Sequence, residues 1–77
     1  MLADFPIGAQ LRVVRVIGGD EISHRLLEMG LTPGVRVTLI GAAPLGDPLE
    51  LELRGYRLSV RRSEAARVEV EPPTMQT

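Results

Sequence analysis

His24 is the single histidine in a chain of 77 residues, and Glu21 and Glu28 stand three positions before it and four after it. On a helix these offsets share nearly one surface, so an imidazole and two carboxylates could offer a transition metal two or three ligands. A specific iron or zinc site wants more converging ligands and a supporting layer of hydrogen bonds. The plainer reading is three solvated polar residues. No metal ligand, catalytic residue or cofactor-binding residue is assigned, although weak binding of Fe2+ or another divalent ion stays open. Gly30, Pro33, Gly34 and Gly46 invite comparison with a phosphate-binding loop, but the chain contains no lysine and the glycines lie at turns. Asp47, between Gly46 and Pro48, has no second acid, base or nucleophile at an interpretable spacing, so it reads as a turn-capping carboxylate.

The elements that must position these residues follow from pattern. Leu11 to Ile17 is rich in β-branched residues and predicts a strand, stopped by Gly18-Gly19. Asp20 is a good helix cap because its carboxylate can accept from free backbone N–H groups. Ile22, Leu26 and Met29 then form one apolar stripe at i, i+4 and i+7, with Glu21, His24, Arg25 and Glu28 largely away from it. Gly30 and Leu31 predict a Schellman stop, and Thr32-Pro33-Gly34 a turn. A second strand starts at Val35. Pro44 to Pro48 is a loop, and Leu49, Leu51 and Leu53 alternate cleanly with Glu50, Glu52 and Arg54. Arg57 to Arg61 completes a tight hairpin with that strand. Ser63 reads as the cap of one helical turn, and Arg67 to Glu71 as the last strand, burying Val68 and Val70. The expectation is an all-β fold, a closed or nearly closed small barrel of about five strands, with one short helix inserted after the first. One domain over residues 1–71 and a disordered tail over 72–77 complete the organisation.

Composition narrows what such a domain can do. A chain this short buries only roughly 60% of the surface its unfolded form exposes, leaving one core and little interior for an enclosed active site. The reading is not an enzyme. Cysteine is absent, which excludes disulfides and thiolate zinc sites and agrees with a reducing cytoplasm. The start lacks a basic and apolar secretion signal, and the longest uncharged run, Val37 to Gly46, falls far short of the roughly twenty residues of a membrane helix. Direct membrane insertion is not expected. With net charge −1 and only Phe5 and Tyr56 aromatic, the chain has neither the cationic excess nor the stacking platforms of a nucleic-acid binder.

Arg25-Leu26-Leu27-Glu28-Met29-Gly30-Leu31-Thr32-Pro33-Gly34, then Val35-Arg36-Val37, Ala43-Pro44-Leu45-Gly46-Asp47-Pro48, Gly55-Tyr56-Arg57-Leu58 and Arg61-Arg62-Ser63-Glu64-Ala65, resemble the FeoA family in order and spacing. The resemblance covers nearly all of residues 5 to 71. It implies an SH3-like barrel, a fold that also forms the C-terminal domain of DtxR-type repressors. It implies a cytoplasmic accessory of bacterial ferrous iron transport that binds the cytoplasmic part of an FeoB-type membrane GTPase transporter. A metal-responsive regulatory module is the alternative, and a nucleic-acid-binding barrel a weaker one. In this setting Arg25 could act as an arginine finger towards the partner, or could pair with Glu28 or Glu64 and fix the helix. The expected partner surface comprises Arg25 and Glu28 on the helix with Leu27 on its flank, and Leu45 and Tyr56 at loop tips, where two copies of the chain could also meet.

Overall fold

The computed structural model describes residues 1–73. Its elements are β1 (Gln10–Val16), α1 (Glu21–Glu28), β2 (Arg36–Ala42), β3 (Leu49–Leu53), β4 (Tyr56–Val60), α2 (Arg62–Ala65) and β5 (Val68–Glu71), preceded by a 3-10 turn at Leu2–Asp4. The expected tail begins with Pro72 and Pro73, which carry no regular structure, and its residues 74–77 lie outside the described residues.

The strands form one antiparallel sheet in the order β4-β3-β2-β1-β5. This corrects the expected closed SH3-like barrel: β4 and β5 are the two edges, and among the described residues they do not pair. Residues 61–67, with α2 among them, connect these two edges in sequence, and all five strands give side chains to one core, around which the sheet curls. Two bulges, at Val14 in β1 and Ile40 in β2, shift the register by one residue and bend the strands where the curl needs it.

One face of the sheet is apolar. Leu49, Leu51 and Leu53 are buried as their alternation predicts, while Glu50 and Glu52 face solvent. Leu11, Val13, Val37, Leu39, Val60 and Val68 join them from the other strands, and Leu26 and Leu31 cover them. Leu2, from the 3-10 turn that the sequence pattern did not signal, is fully buried in the same cluster. Of the two valines expected to be buried in the last strand, Val68 is fully buried and Val70 only half-buried.

The helix starts and stops as expected. Asp20 accepts from Ser23 N–H at 3.1 Å, and the Ser23 hydroxyl donates to the Asp20 carbonyl at 2.8 Å, so a buried polar residue is satisfied. Leu26 is the fully buried member of the stripe, with Ile22 and Met29 half-buried beside it. At the other end Leu31 N–H bonds the Leu26 carbonyl and Gly30 N–H the Leu27 carbonyl, the paired bonds of a Schellman stop. Gly30 has φ 110° and Gly34 φ 91°, with Val35 N–H closing the turn on Thr32. Ser63, expected as the cap of α2, lies inside it, because Arg61 occupies the cap position and its N–H is taken by Glu64. The β3–β4 hairpin turns on Arg54 and Gly55, both at positive φ, which matches the right-handed twist of the flanking strands.

Gly30 also makes room for Tyr56, whose hydroxyl donates to the Met29 carbonyl at the helix end. A Cβ on Gly30 would collide with that hydroxyl, whereas one on Gly34 would meet open space. Gly34→Ala should therefore cost roughly 1–2 kcal/mol from backbone strain alone, and Gly30→Ala clearly more. In a Tyr56→Phe background most of the excess should disappear, leaving the tighter approach to Leu53 Cδ1 at 3.3 Å, as urea unfolding of the variants would read directly.

Candidate functional site

The outward side of α1 carries Glu21, His24, Arg25 and Glu28, all exposed, around a shallow depression floored by Ile22. All five residues come from one helix, so nothing encloses a ligand. Glu21, His24 and Glu28 share the helix side as their spacing predicts, yet no group of three or more metal-ligating side chains converges among the described residues. On a convex exposed surface such side chains diverge, and among the described residues no facing element supplies a further donor.

Arg25 reaches across to Glu64 on α2 rather than pairing with Glu28. Glu64 is the better buried partner, with 13% side-chain exposure. Its two oxygens are both used, Oε2 by the Arg25 guanidinium and Oε1 by the Arg61 backbone N–H at 3.1 Å. One carboxylate thus closes the N-terminus of α2 and pins α1 to it. Asp47 does not cap its own turn. Its Oδ1 accepts from Arg62 N–H at 3.0 Å, satisfying another free donor at the start of α2. The Arg62 side chain returns to the loop, donating through Nε to the Gly46 carbonyl at 3.0 Å and through Nη1 to the Ala3 carbonyl at 3.2 Å. Leu45, at the tip of this anchored loop, is 97% exposed.

Of the five residues expected at a partner surface, Arg25, Leu27 and Glu28 therefore share α1, with Leu27 half-buried. Tyr56 is the first residue of β4 and not a loop tip; it is 43% exposed while its hydroxyl holds the end of α1. Leu45 belongs to a separate loop, linked to α1 among the described residues through Arg62, α2 and Glu64. Arg62 stands in one of the stretches that carry the resemblance, but its anchoring role could not be read from the sequence, because its acceptors are backbone carbonyls of residues far away in sequence. Asp20 is a further anchor: Arg67 donates to both its oxygens at 2.6 and 2.7 Å, and Gly18 leaves the space through which that guanidinium reaches it. The Arg67 hydrogen bond, aided by Ser23 N–H, lowers the Asp20 pKa from 3.8 to about 2. These ties position surfaces; none aligns a nucleophile with a base.

A model of the FeoA domain matches residues 1–72. The chain is 40% identical over 70 residues, 91% of its length, to an Fe2+ transport protein A/Fe2+ transporter FeoB fusion protein of Porphyromonas gingivalis. It is 31% identical over 65 residues, 84% of its length, to a protein of Bordetella bronchiseptica named D-beta-D-heptose 7-phosphate kinase. It spans only 8% and 19% of the length of these two curated relatives. Among solved structures, a FeoA-like protein from Clostridium acetobutylicum superposes with a TM-score of 0.87 at 33% identity, over 99% of this chain and 88% of that one. Stenotrophomonas maltophilia FeoA, solved complexed with zinc, superposes with a TM-score of 0.79 at 32% identity, over 91% of this chain and 87% of that one.

Two outcomes follow from the geometry. Glu64→Ala strands a backbone donor as well as Arg25 and should cost about 1–3 kcal/mol, whereas Arg25→Ala, which removes a largely exposed cation, should cost less than about 1 kcal/mol; urea midpoints of the two variants give the order. Because the folded state holds the Asp20 pKa below its unfolded value, the stabilisation is present above pH 4 and lost as pH falls from about 4 to 2. Wild type and Asp20→Asn should thus differ at neutral pH and converge across that window.

Proposed function

The chain belongs to the FeoA family, and from that premise we propose that it is a non-catalytic accessory domain of bacterial ferrous iron uptake that binds the cytoplasmic part of an FeoB-type GTPase transporter. The observation that carries this reading is the Porphyromonas gingivalis relative, in which a homologous domain and the transporter are one polypeptide. Covalent linkage gives a weak contact a high effective concentration, and a separate chain must replace the linker with a binding surface of its own. The reading puts the domain in the cytoplasm, where that surface is accessible.

Arg25, Leu27, Glu28, Leu45 and Tyr56 are the proposed contacts. Leu45 is the purest probe among them, since 97% exposure leaves it no part in the core and its loop is held by Arg62 and Asp47. Arg25 is already committed to Glu64, so a role as an arginine finger would require it to leave that partner. A metal-responsive role is the second reading, favoured by the zinc-complexed Stenotrophomonas maltophilia relative. Its donors here would be Glu21, His24 and Glu28.

Calorimetric titration of the transporter's soluble GTPase-bearing domain into this protein should give saturable binding, weakened at least tenfold by Leu45→Asp with no loss of thermal stability. Flat titrations would remove the accessory reading, and binding that appears only with added Fe2+ or Zn2+ and is lost in His24→Ala would favour the metal-responsive one.

A further inference from the structure

The curled sheet leaves two edges, and they are finished differently. β5 is covered by the 3-10 turn at Leu2–Asp4, which packs against it, and it runs directly into Pro72-Pro73, which cannot extend a ladder. Among the described residues β4 has neither protection. Leu53 and Tyr56 close a two-residue hairpin, so their pair and, by the alternation of an antiparallel ladder, Leu51 with Leu58 and Leu49 with Val60 exchange the hydrogen bonds. The N–H and C=O groups of Arg57 and Ser59 must then point away from β3. Both residues are exposed, and no hydrogen bond to either is found on that side among the described residues.

The outermost chemistry along this edge is basic, with the acids set one strand further in, on β3, where Glu52 stands opposite Arg57 and Glu50 opposite Ser59. Arg54, Arg57 and Arg61 border it, β4 itself contains no acid, and none of the three arginines makes an ion pair among the described residues, although the chain as a whole is slightly acidic. Such a row repels a second copy of the same strand and attracts an acidic one. The edge also joins the two most exposed apolar candidates at the proposed surface. It begins at Tyr56, and its far end passes through Arg61 to Arg62, which holds the loop bearing Leu45.

We infer that the free edge of β4 is the docking line, and that it takes an extended acidic segment of the partner polypeptide as an added antiparallel or parallel strand. Main-chain bonds to Arg57 and Ser59 supply the affinity common to any strand addition, and the arginines select for acidic side chains flanking it. This inference rests on the transporter-binding reading and names the surface and the chemistry that reading uses.

The test is titration of the transporter's soluble domain into wild type, Ser59→Ala, Ser59→Pro and the double variant Arg57→Glu/Arg61→Glu. Proline at 59 removes an outward N–H without touching the bonds to β3, and circular dichroism checks that the sheet survives. Ser59→Ala should bind like wild type, and Ser59→Pro and the double reversal should each lose tenfold or more. If proline disrupts the fold, the charge reversal decides. Wild-type affinity retained by the double reversal and by a folded Ser59→Pro overturns the edge while leaving transporter binding intact. No binding by wild type overturns both, and a concentration-dependent dimer abolished by Ser59→Pro makes a second copy the occupant and overturns the acidic segment.

Discussion

Leu49, Leu51 and Leu53 lie on one face of β3 with at most 2% exposure, and because side chains alternate along a strand, that face fixes the orientation of every strand paired to it. A slip of one residue would bury Glu50 and Glu52 instead. From this constraint follow the single apolar face of the sheet, its cover of Leu26, Leu31 and Leu2, and an outer face given over to charge. On that outer face Arg12 lies opposite Glu71 and Arg15 opposite Glu69, each within hydrogen-bonding distance across β1 and β5. Exposed pairs of this kind add little stability, but they favour the register that the leucines already require.

Leu26 and Ala65 anchor the two helices in the core, and polar ties between distant parts of the chain set how their ends are placed. Asp20 with Arg67, Glu64 with Arg25 and with the Arg61 N–H, Asp47 with the Arg62 N–H, and Tyr56 with the Met29 carbonyl each satisfy a helix end while joining two elements. Their common feature is that the acceptor or donor at a helix terminus needs a partner in any case. Recruiting that partner from another element orders the helix and the loop together. The consequence for function is a pre-formed surface, in which the Leu45 loop and the exposed side of α1 are linked through α2.

Local chemistry explains what was legible in the sequence. The Asp20 cap, the Gly30 stop, the Pro33-Gly34 turn and the leucine alternation of β3 are each decided within a few residues, and each is found where its pattern placed it. Barrel closure was not legible, because a strand pattern does not say whether the last two edges meet; β4 and β5 are joined in sequence through α2 and do not pair among the described residues. The cap of α2 was misplaced at Ser63 for a similar reason: the groups that satisfy its start are Glu64 and the remote Asp47. Of the five surface residues singled out, Tyr56 proved to be half committed to the fold, while Leu45 stands almost wholly in solvent. The anchoring role of Arg62 was not legible, because backbone carbonyls, its acceptors, look alike at every position.

A domain without converging ligands or aligned catalytic groups among its described residues can still act through what it leaves unpaired, and here that is one sheet edge bordered by arginines. Family membership supplies the setting and the open sheet supplies the place. Amide hydrogen exchange on this protein, alone and with the transporter's soluble domain, examines both at once. The account requires the Arg57 and Ser59 amides to exchange rapidly in the free protein and to become protected in the complex, with Leu58 protected in both. Protection confined to α1, or an exchange pattern that the transporter domain leaves unchanged, would contradict it.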